Sequence, residues 1–324
     1  MRCSVFGRLA AVAALAALGF TSAAQAQEVT LKAVNGFQEG TYFAKDFEAF
    51  VKKVNDEGKG LVQIQYVGGP KAIPTMEQGA ALRNGVVDMA HTTAAYTASI
   101  VPELLSLNYA TLPFTELRKN GTVDYINKLM EPKGLMYFAR TGDMIKYHIY
   151  LTKKIDKPDL KGLKIRIAPV FRDFFMAMGA TVVQTAPGEV YTALERGVVD
   201  GYGWPLLGIF DMGWQSITKY RVDPGFYMLE LAVQFNTRSW AKLNPAQKAF
   251  LEKQRDWLEK TALEHSLAAA AENVAKQKEA GIQTITFSAA DTAAYEKLSL
   301  DSAWAGIIKN SPEHGPKLRA LMAP

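Results

Sequence analysis

Cysteine is almost absent from this 324-residue chain, which has only Cys3. That residue precedes the apolar stretch of the N-terminal segment, so it cannot serve as a lipid anchor placed after such a stretch. The remainder is left without a disulfide, a thiolate nucleophile or a cysteine metal site. Histidine is nearly as scarce. The four copies, at 91, 148, 265 and 314, are dispersed, with no His-Glu-x-x-His run and no metal-ligand pair at helical spacing. A Gly-x-Ser-x-Gly elbow and a phosphate loop are missing too, and Gly201-Tyr202-Gly203 lacks the third glycine and following helix of a dinucleotide fingerprint. No metal, no cofactor and no catalytic residue is therefore expected. An unusual secreted hydrolase built on converging carboxylates stays as the enzymatic alternative. Long hydrophobic runs are also lacking: the longest, Leu9 to Phe20, falls short of the roughly 20 residues that span a bilayer. Nor is there a strong excess of one charge, the net being +5 without clustering, which argues against nucleic acid as a partner.

What is present begins with that first stretch. Arg2 and Arg8 precede Leu9 to Phe20, and small residues follow as far as Ala24-Gln25-Ala26. Charged, apolar and small segments in this order read as a secretory signal peptide over residues 1–26, with cleavage expected after Ala26 and a periplasmic destination. Thirty-seven basic residues less those two arginines, against 32 acidic ones, leave the exported chain at +3. Without disulfides it must be held by its core, and its length suffices for one or two.

Further along, the chain echoes itself. Ala81-Leu82-Arg83-Asn84-Gly85-Val86-Val87-Asp88 reappears as Ala193-Leu194-Glu195-Arg196-Gly197-Val198-Val199-Asp200. Glu77 and Glu189 precede the copies at equal spacing, and Pro74 and Pro187 lie upstream. Each copy reads as a helix opened near a proline and closed by glycine, followed at once by a short β-branched strand. Chance similarity between two helix–strand joints is the bland alternative. The sharper reading is two α/β domains of similar design, with loops at His91-Thr92-Thr93 and Tyr202-Gly203-Trp204-Pro205 where ligands of open α/β sheets bind.

Strands are expected at Val29 to Val34, Val62 to Val67, Gly134 to Ala139, Tyr147 to Leu151 and Leu163 to Ile167. Thr41 to Asn55 has helical spacing, with Phe43, Phe47, Phe50, Val51 and Val54 on one face. Asn244, Pro245 and Gln247 compose a capping box at the head of a stretch that runs to about Ala280 without proline or glycine. Heptad order is poor around Ala268 to Ala271, which favours a helix laid across two domains over a coiled coil.

Leu160-Lys161-Gly162-Leu163-Lys164-Ile165-Arg166, Met178-Gly179-Ala180, Pro187-Gly188-Glu189-Val190-Tyr191-Thr192-Ala193-Leu194 and Gly197-Val198-Val199-Asp200-Gly201 follow one another in order and spacing. Together they resemble the central motifs of the solute-binding proteins of TRAP (tripartite ATP-independent periplasmic) transporters, and the resemblance covers nearly all of the chain beyond residue 26. It implies an α/β, two-domain periplasmic binding protein fold with hinge strands and a long helix spanning both domains. The expected division is 27–145 plus 231–265 for the first domain and 146–230 plus 266–324 for the second. It also implies a non-enzymatic monomer that captures a small organic acid by domain closure and delivers it to an ion-gradient-driven TRAP membrane permease. No nucleotide site is expected. The ligand-binding protein of a membrane sensor is a further alternative, since it would use the same capture step.

The resemblance implies site residues as well. Arg166 matches the arginine that holds the substrate carboxylate, a role suited to a guanidinium fork. Lys146 falls near a second family arginine, with Arg140 competing for the same place. Trp204 stands directly before Pro205, where many relatives carry an asparagine. An indole N–H donates one hydrogen bond and accepts none, so part of the usual clamp is absent or rebuilt. Trp204 either packs in the core or lines the pocket. In the second case an aromatic or bulky apolar acid suits the pocket better than a sugar acid, whose hydroxyls need partners. Phe37 is a candidate for the opposite wall. Glu77 matches a helix position that often faces the cleft, His91 and Thr92 belong to the first lip, Tyr202 to the second, and Tyr227 approaches from the hinge side.

Overall fold

The structure, a computed structural model, describes residues 27–324; the expected signal peptide, its cleavage site and Cys3 lie outside the described residues. Twelve strands are formed there: β1 Val29–Asn35, β2 Val62–Gly68, β3 Met89–Thr92, β4 Leu135–Gly142, β5 Lys146–Leu151, β6 Lys164–Ile167, β7 Thr181–Gln184, β8 Gly201–Pro205, β9 Tyr220–Asp223, β10 Phe226–Met228, β11 Leu231–Asn236 and β12 Gln283–Thr286. They build two sheets. The first runs β2-β1-β3-β11-β4; the second runs β12-β9-β5-β8-β6-β7, with β10 on β5.

The sheets share a plan. β1 lies parallel to both β2 and β3, and β3 lies antiparallel to β11. In the second sheet β6 lies parallel to both β7 and β8, and β8 lies antiparallel to β5. The sequence echo sits at the same place in each. Gly85 and Gly197 take left-handed φ angles of +79° and +66°, which end their helices. The amides of Val86 and Val198 then donate back to Ala81 and Ala193 oxygens, both at 2.9 Å. Asp88 then grips the neighbouring strand, its carboxylate accepting from the Lys32 amide (2.8 Å) and its own amide donating to the Lys32 oxygen (2.8 Å). Asp200 grips Lys164 in the same way, at 2.9 and 2.7 Å.

One expectation about this joint needs correcting. The valine pairs are turns, and the segments read as loops, His91-Thr92 and Tyr202 to Pro205, are strand. Only one valine of each pair is buried, Val87 and Val199, while Val86 and Val198 are exposed. The glycine reversal uses them to reach the aspartate clamp, and pairing begins only beyond it.

The first helix, Tyr42–Glu57, buries all five apolar residues predicted for its inner face. The long helix, Pro245–Glu279, opens with the predicted box: Asn244 accepts from the Gln247 amide at 2.9 Å, and Gln247 accepts from the Asn244 amide at 3.0 Å. At about 1.5 Å per residue it is some 50 Å long, enough to cross both sheets. Leu251 and Leu258 pack with Phe138 and Val233 of the first sheet. At its far end Gln277 accepts from Arg221 (2.9 Å) and donates to the Leu206 oxygen (2.8 Å), beside the second. The chain also changes sheet between β4 and β5 and between β10 and β11.

Candidate functional site

Strands β1, β3, β6 and β8 all end at the seam between the sheets, where open α/β folds hold ligands. A cavity of about 20 Å³ lies there. The first half supplies Phe37, Phe43, Thr93, Ala95 and Tyr96; the second supplies Tyr147, Arg166, Ala168, Val170, Phe171, Trp204 and Pro205; Leu229 and Leu231, flanking the β10–β11 crossing, close the back.

Arg166 is the charge in this wall. Alternation along β6 buries Ile165 and Ile167 on one face and sends Arg166, itself 0% exposed, to the other. Its Nε and Nη2 donate to the Thr185 carbonyl at 3.1 and 2.6 Å, and its Nη1 has no partner. Among the described residues no carboxylate lies within ion-pair distance of it. Burial pushes its pKa down, opposed by the neighbouring Tyr96 hydroxyl, Glu189 and Tyr147. A guanidinium nevertheless keeps its proton, so the cavity wall carries an unneutralised positive charge.

Trp204 stands beside it, with the guanidinium carbon 5.6 Å from the indole ring. Edge contacts to Trp214 (4.7 Å) and Phe43 (5.9 Å) hold the ring. Its Nε1 is buried and also lacks a partner. Two unsatisfied donors thus share one wall, each costing free energy until something accepts from it. The other polar groups are few. Burial raises the pKa of Tyr96, and the charge of Arg166 opposes that rise. Thr93 donates to the buried carboxylate of Glu230 at 3.2 Å, and Glu230 also accepts from the Ala94 amide (2.6 Å) and Tyr137 (2.8 Å). The remaining lining is aromatic and aliphatic.

Of the residues singled out in the sequence, Arg166, Trp204 and Phe37 meet in this cavity. His91 stands one layer behind Phe37, stacked on Phe47 at 5.1 Å and bonded to Asn35 (3.1 Å) and Thr141 (2.7 Å). Burial lowers its pKa to about 3. Thr92 is buried outside the lining, with an unpartnered hydroxyl. Tyr202 is stacked on Tyr150 at 5.0 Å and bonded to Thr218 at 2.8 Å, within the core. Arg140 is buried but occupied, donating to the oxygens of Gly142 (2.6 Å) and Leu229 (2.9 Å) and facing Asp143 at 3.6 Å. Lys146 and Tyr227 line a separate groove beside Asn108 and Ser299. Glu77 is exposed and outside the cavity. Phe43, Tyr96, Tyr147 and Phe171 were not foreseen in the site. Phe43 was legible only as part of an apolar helix face, Tyr147 only as a strand residue, and nothing local marked Tyr96 or Phe171.

Among the described residues no group of three or more His, Cys, Asp or Glu could hold a metal ion, and no helix is long and apolar enough to cross a membrane.

The profile of the family described as "Bacterial extracellular solute-binding protein, family 7" matches residues 34–309. A "Monocarboxylate 2-oxoacid-binding periplasmic protein" of Nostoc sp. is 25% identical over 209 residues, covering 60% of this chain and 57% of that one. The stretch shared with a Sinorhizobium fredii relative spans 33% of that relative's length. Among solved structures, a TRAP periplasmic solute-binding protein from Desulfovibrio salexigens with bound orotic acid superposes with a TM-score of 0.80 at 22% identity, covering 90% of this chain and 97% of that one. A Bordetella pertussis extracytoplasmic solute receptor binding pyroglutamic acid gives 0.81 at 17% identity, covering 91% and 99%. At these identities the superpositions establish the two-domain fold with its long helix.

Proposed function

The chain belongs to the bacterial extracellular solute-binding proteins of family 7, which are binding proteins of TRAP transporters and not enzymes, and from this premise we propose that it captures a small monocarboxylic acid with an aromatic or bulky apolar body. One observation carries the reading: the buried guanidinium of Arg166, with no carboxylate partner and a free Nη1, lies beside Trp204, whose indole N–H is also free, in a mostly apolar cavity. A carboxylate supplies the missing acceptors and the missing charge. The rings of Phe37, Phe43 and Phe171 suit an apolar body. A sugar acid would lose several hydroxyl partners there.

In this reading the halves formed by 27–145 with 231–265 and by 146–230 with 266–324 close over the acid, and ligand contact with both walls favours the closed form. Both walls come from this chain, so a monomer suffices. Export through residues 1–26, with cleavage after Ala26, would bring it to the periplasm to meet an ion-gradient-driven TRAP permease.

A thermal-shift panel of aromatic, branched-chain, dicarboxylic and sugar acids against residues 27–324 tests this. A native-state ligand at a hundred times its Kd adds about 2.7 kcal/mol of stability. Aromatic or branched monocarboxylates are expected to give the largest shifts. Shifts from sugar acids alone would sink the apolar body, and silence across the panel would sink the carboxylate.

A further inference from the structure

Phe37 borders two spaces at once. Besides the arginine cavity it lines a groove of about 220 Å³ between loops of the two halves. On one bank of that groove stand Pro70, Lys71 and Pro74, and on the other Ala186, Pro187 and Met212. Pro74 and Pro187 are the two prolines of the sequence echo, so the shared plan brings equivalent loops to opposite banks. The groove is mostly apolar, and Phe37 is the one lining residue that it shares with the arginine cavity.

Phe37 is held as a partition would need to be. Its amide donates to Asn35 Oδ1 at 3.1 Å. Its carbonyl oxygen passes so close to Gly69 that a Cβ there would stand 2.8 Å away, so only glycine admits this backbone path. The ring packs against Phe43 (5.5 Å), His91 (5.8 Å) and Tyr96 (6.4 Å). Behind it the cavity, at about 20 Å³, is far smaller than typical ligand pockets, which run from about 300 to 1,000 Å³. We propose that Phe37 sets the upper length of the acid this protein accepts, by separating the arginine cavity from an apolar groove that would otherwise take the distal end of a longer ligand.

The inference rests on the carboxylate reading of Arg166, and its test separates the two. Straight-chain monocarboxylates from butanoate to decanoate are titrated calorimetrically into the wild-type protein, Phe37→Ala, Phe37→Leu and Arg166→Ala. The wild type is expected to lose affinity abruptly beyond one chain length. Phe37→Ala should move that cut-off outward by two or more carbons, with the shortest acids weakened less than about tenfold, and Phe37→Leu should move it less. Arg166→Ala should weaken every length. An unmoved cut-off in folded Phe37→Ala, or equal weakening at all lengths, would make Phe37 an ordinary wall and overturn the partition while leaving the carboxylate reading intact. If Phe37→Ala does not fold, the milder Phe37→Leu decides by the same criterion. If no straight-chain acid binds the wild type, there is no chain-length limit for Phe37 to set and the partition is overturned, while the carboxylate reading is decided by the thermal-shift panel.

Discussion

Replacing Arg166 with methionine should separate function from stability. The change removes a fully buried charge while keeping most of the side-chain volume. An isolated buried ion costs several kcal/mol. Against this stand two charge-assisted hydrogen bonds to the Thr185 oxygen, at 3.1 and 2.6 Å, worth about 1.5–3 kcal/mol each. The terms offset, so the ligand-free variant should keep its stability within about 2 kcal/mol, a Tm change of a few degrees for a chain of this size. Acid binding should respond quite differently. Losing one partner of a desolvated charge pair costs about 2–5 kcal/mol, a weakening of roughly thirtyfold to several thousandfold. Trp204→Phe, which keeps a ring and deletes only the N–H, should cost about 0.5–1.5 kcal/mol, or up to about tenfold. Calorimetric titration with the tightest acid of the panel measures the affinities, and scanning calorimetry of ligand-free protein measures the Tm. If Arg166→Met unfolded many degrees lower yet bound the acid normally when folded, Arg166 would be a structural residue, and the argument from its missing partner would fail.

Two other predictions concern the frame around the site. His91 is held near a pKa of 3 by burial, whereas in the unfolded chain it titrates near 6.5. As pH falls below 6.5 the unfolded chain takes up a proton that the native state refuses. The stability contributed by neutral His91 is thus complete above pH 6.5 and lost progressively as pH falls toward 3, by about 2 kcal/mol between pH 6.5 and 5. Urea unfolding at the two pH values should show this slope, and His91→Gln should flatten it; an equal slope in both proteins would assign the effect elsewhere. Asp211, in the segment after β8, accepts from the Tyr42 amide at 2.6 Å, so the second half caps the N-terminus of the first half's Tyr42–Glu57 helix. Losing such a cap costs about 0.5–2 kcal/mol. Asp211→Ala should weaken acid binding about two- to thirtyfold, mainly through faster dissociation in stopped-flow traces. An unchanged off-rate would show that the contact does not favour closure.

Much of the frame was legible because it is written in local periodicities. The five apolar residues of Tyr42–Glu57 recur at helical spacing, and Asn244, Pro245 and Gln247 form their box within four residues. The duplicated helix–glycine–aspartate joint was visible in residue identity, and its copies occupy equivalent places in two sheets that share three parallel strands flanked by an antiparallel one. Its internal path was misread, because a valine pair looks like strand in any local window. Only the hydrogen bonds of Asp88 to Lys32 and of Asp200 to Lys164, over 56 and 36 residues, show it to be a turn.

The site divides along the same line. Arg166 and Trp204 were legible from the motif around them, and Phe37 from its loop. Lys146, Arg140, Glu77, Tyr202, Tyr227 and the pair His91 and Thr92 were weaker candidates in sequence, and they lie outside the cavity lining. Arg140 shows why: its donors are taken by backbone oxygens of residues 142 and 229, the second reached only through the β11–β4 pairing. By itself the sequence determined the charged, apolar and small order of its first residues, the scarcity of cysteine and histidine, the element periods and the arginine-bearing strand, since each depends on neighbours a few residues away. Tertiary structure alone decided which polar groups are already satisfied and which remain free, because a hydrogen bond is made with whatever the fold brings within about 3 Å, and here that partner is often a hundred residues away.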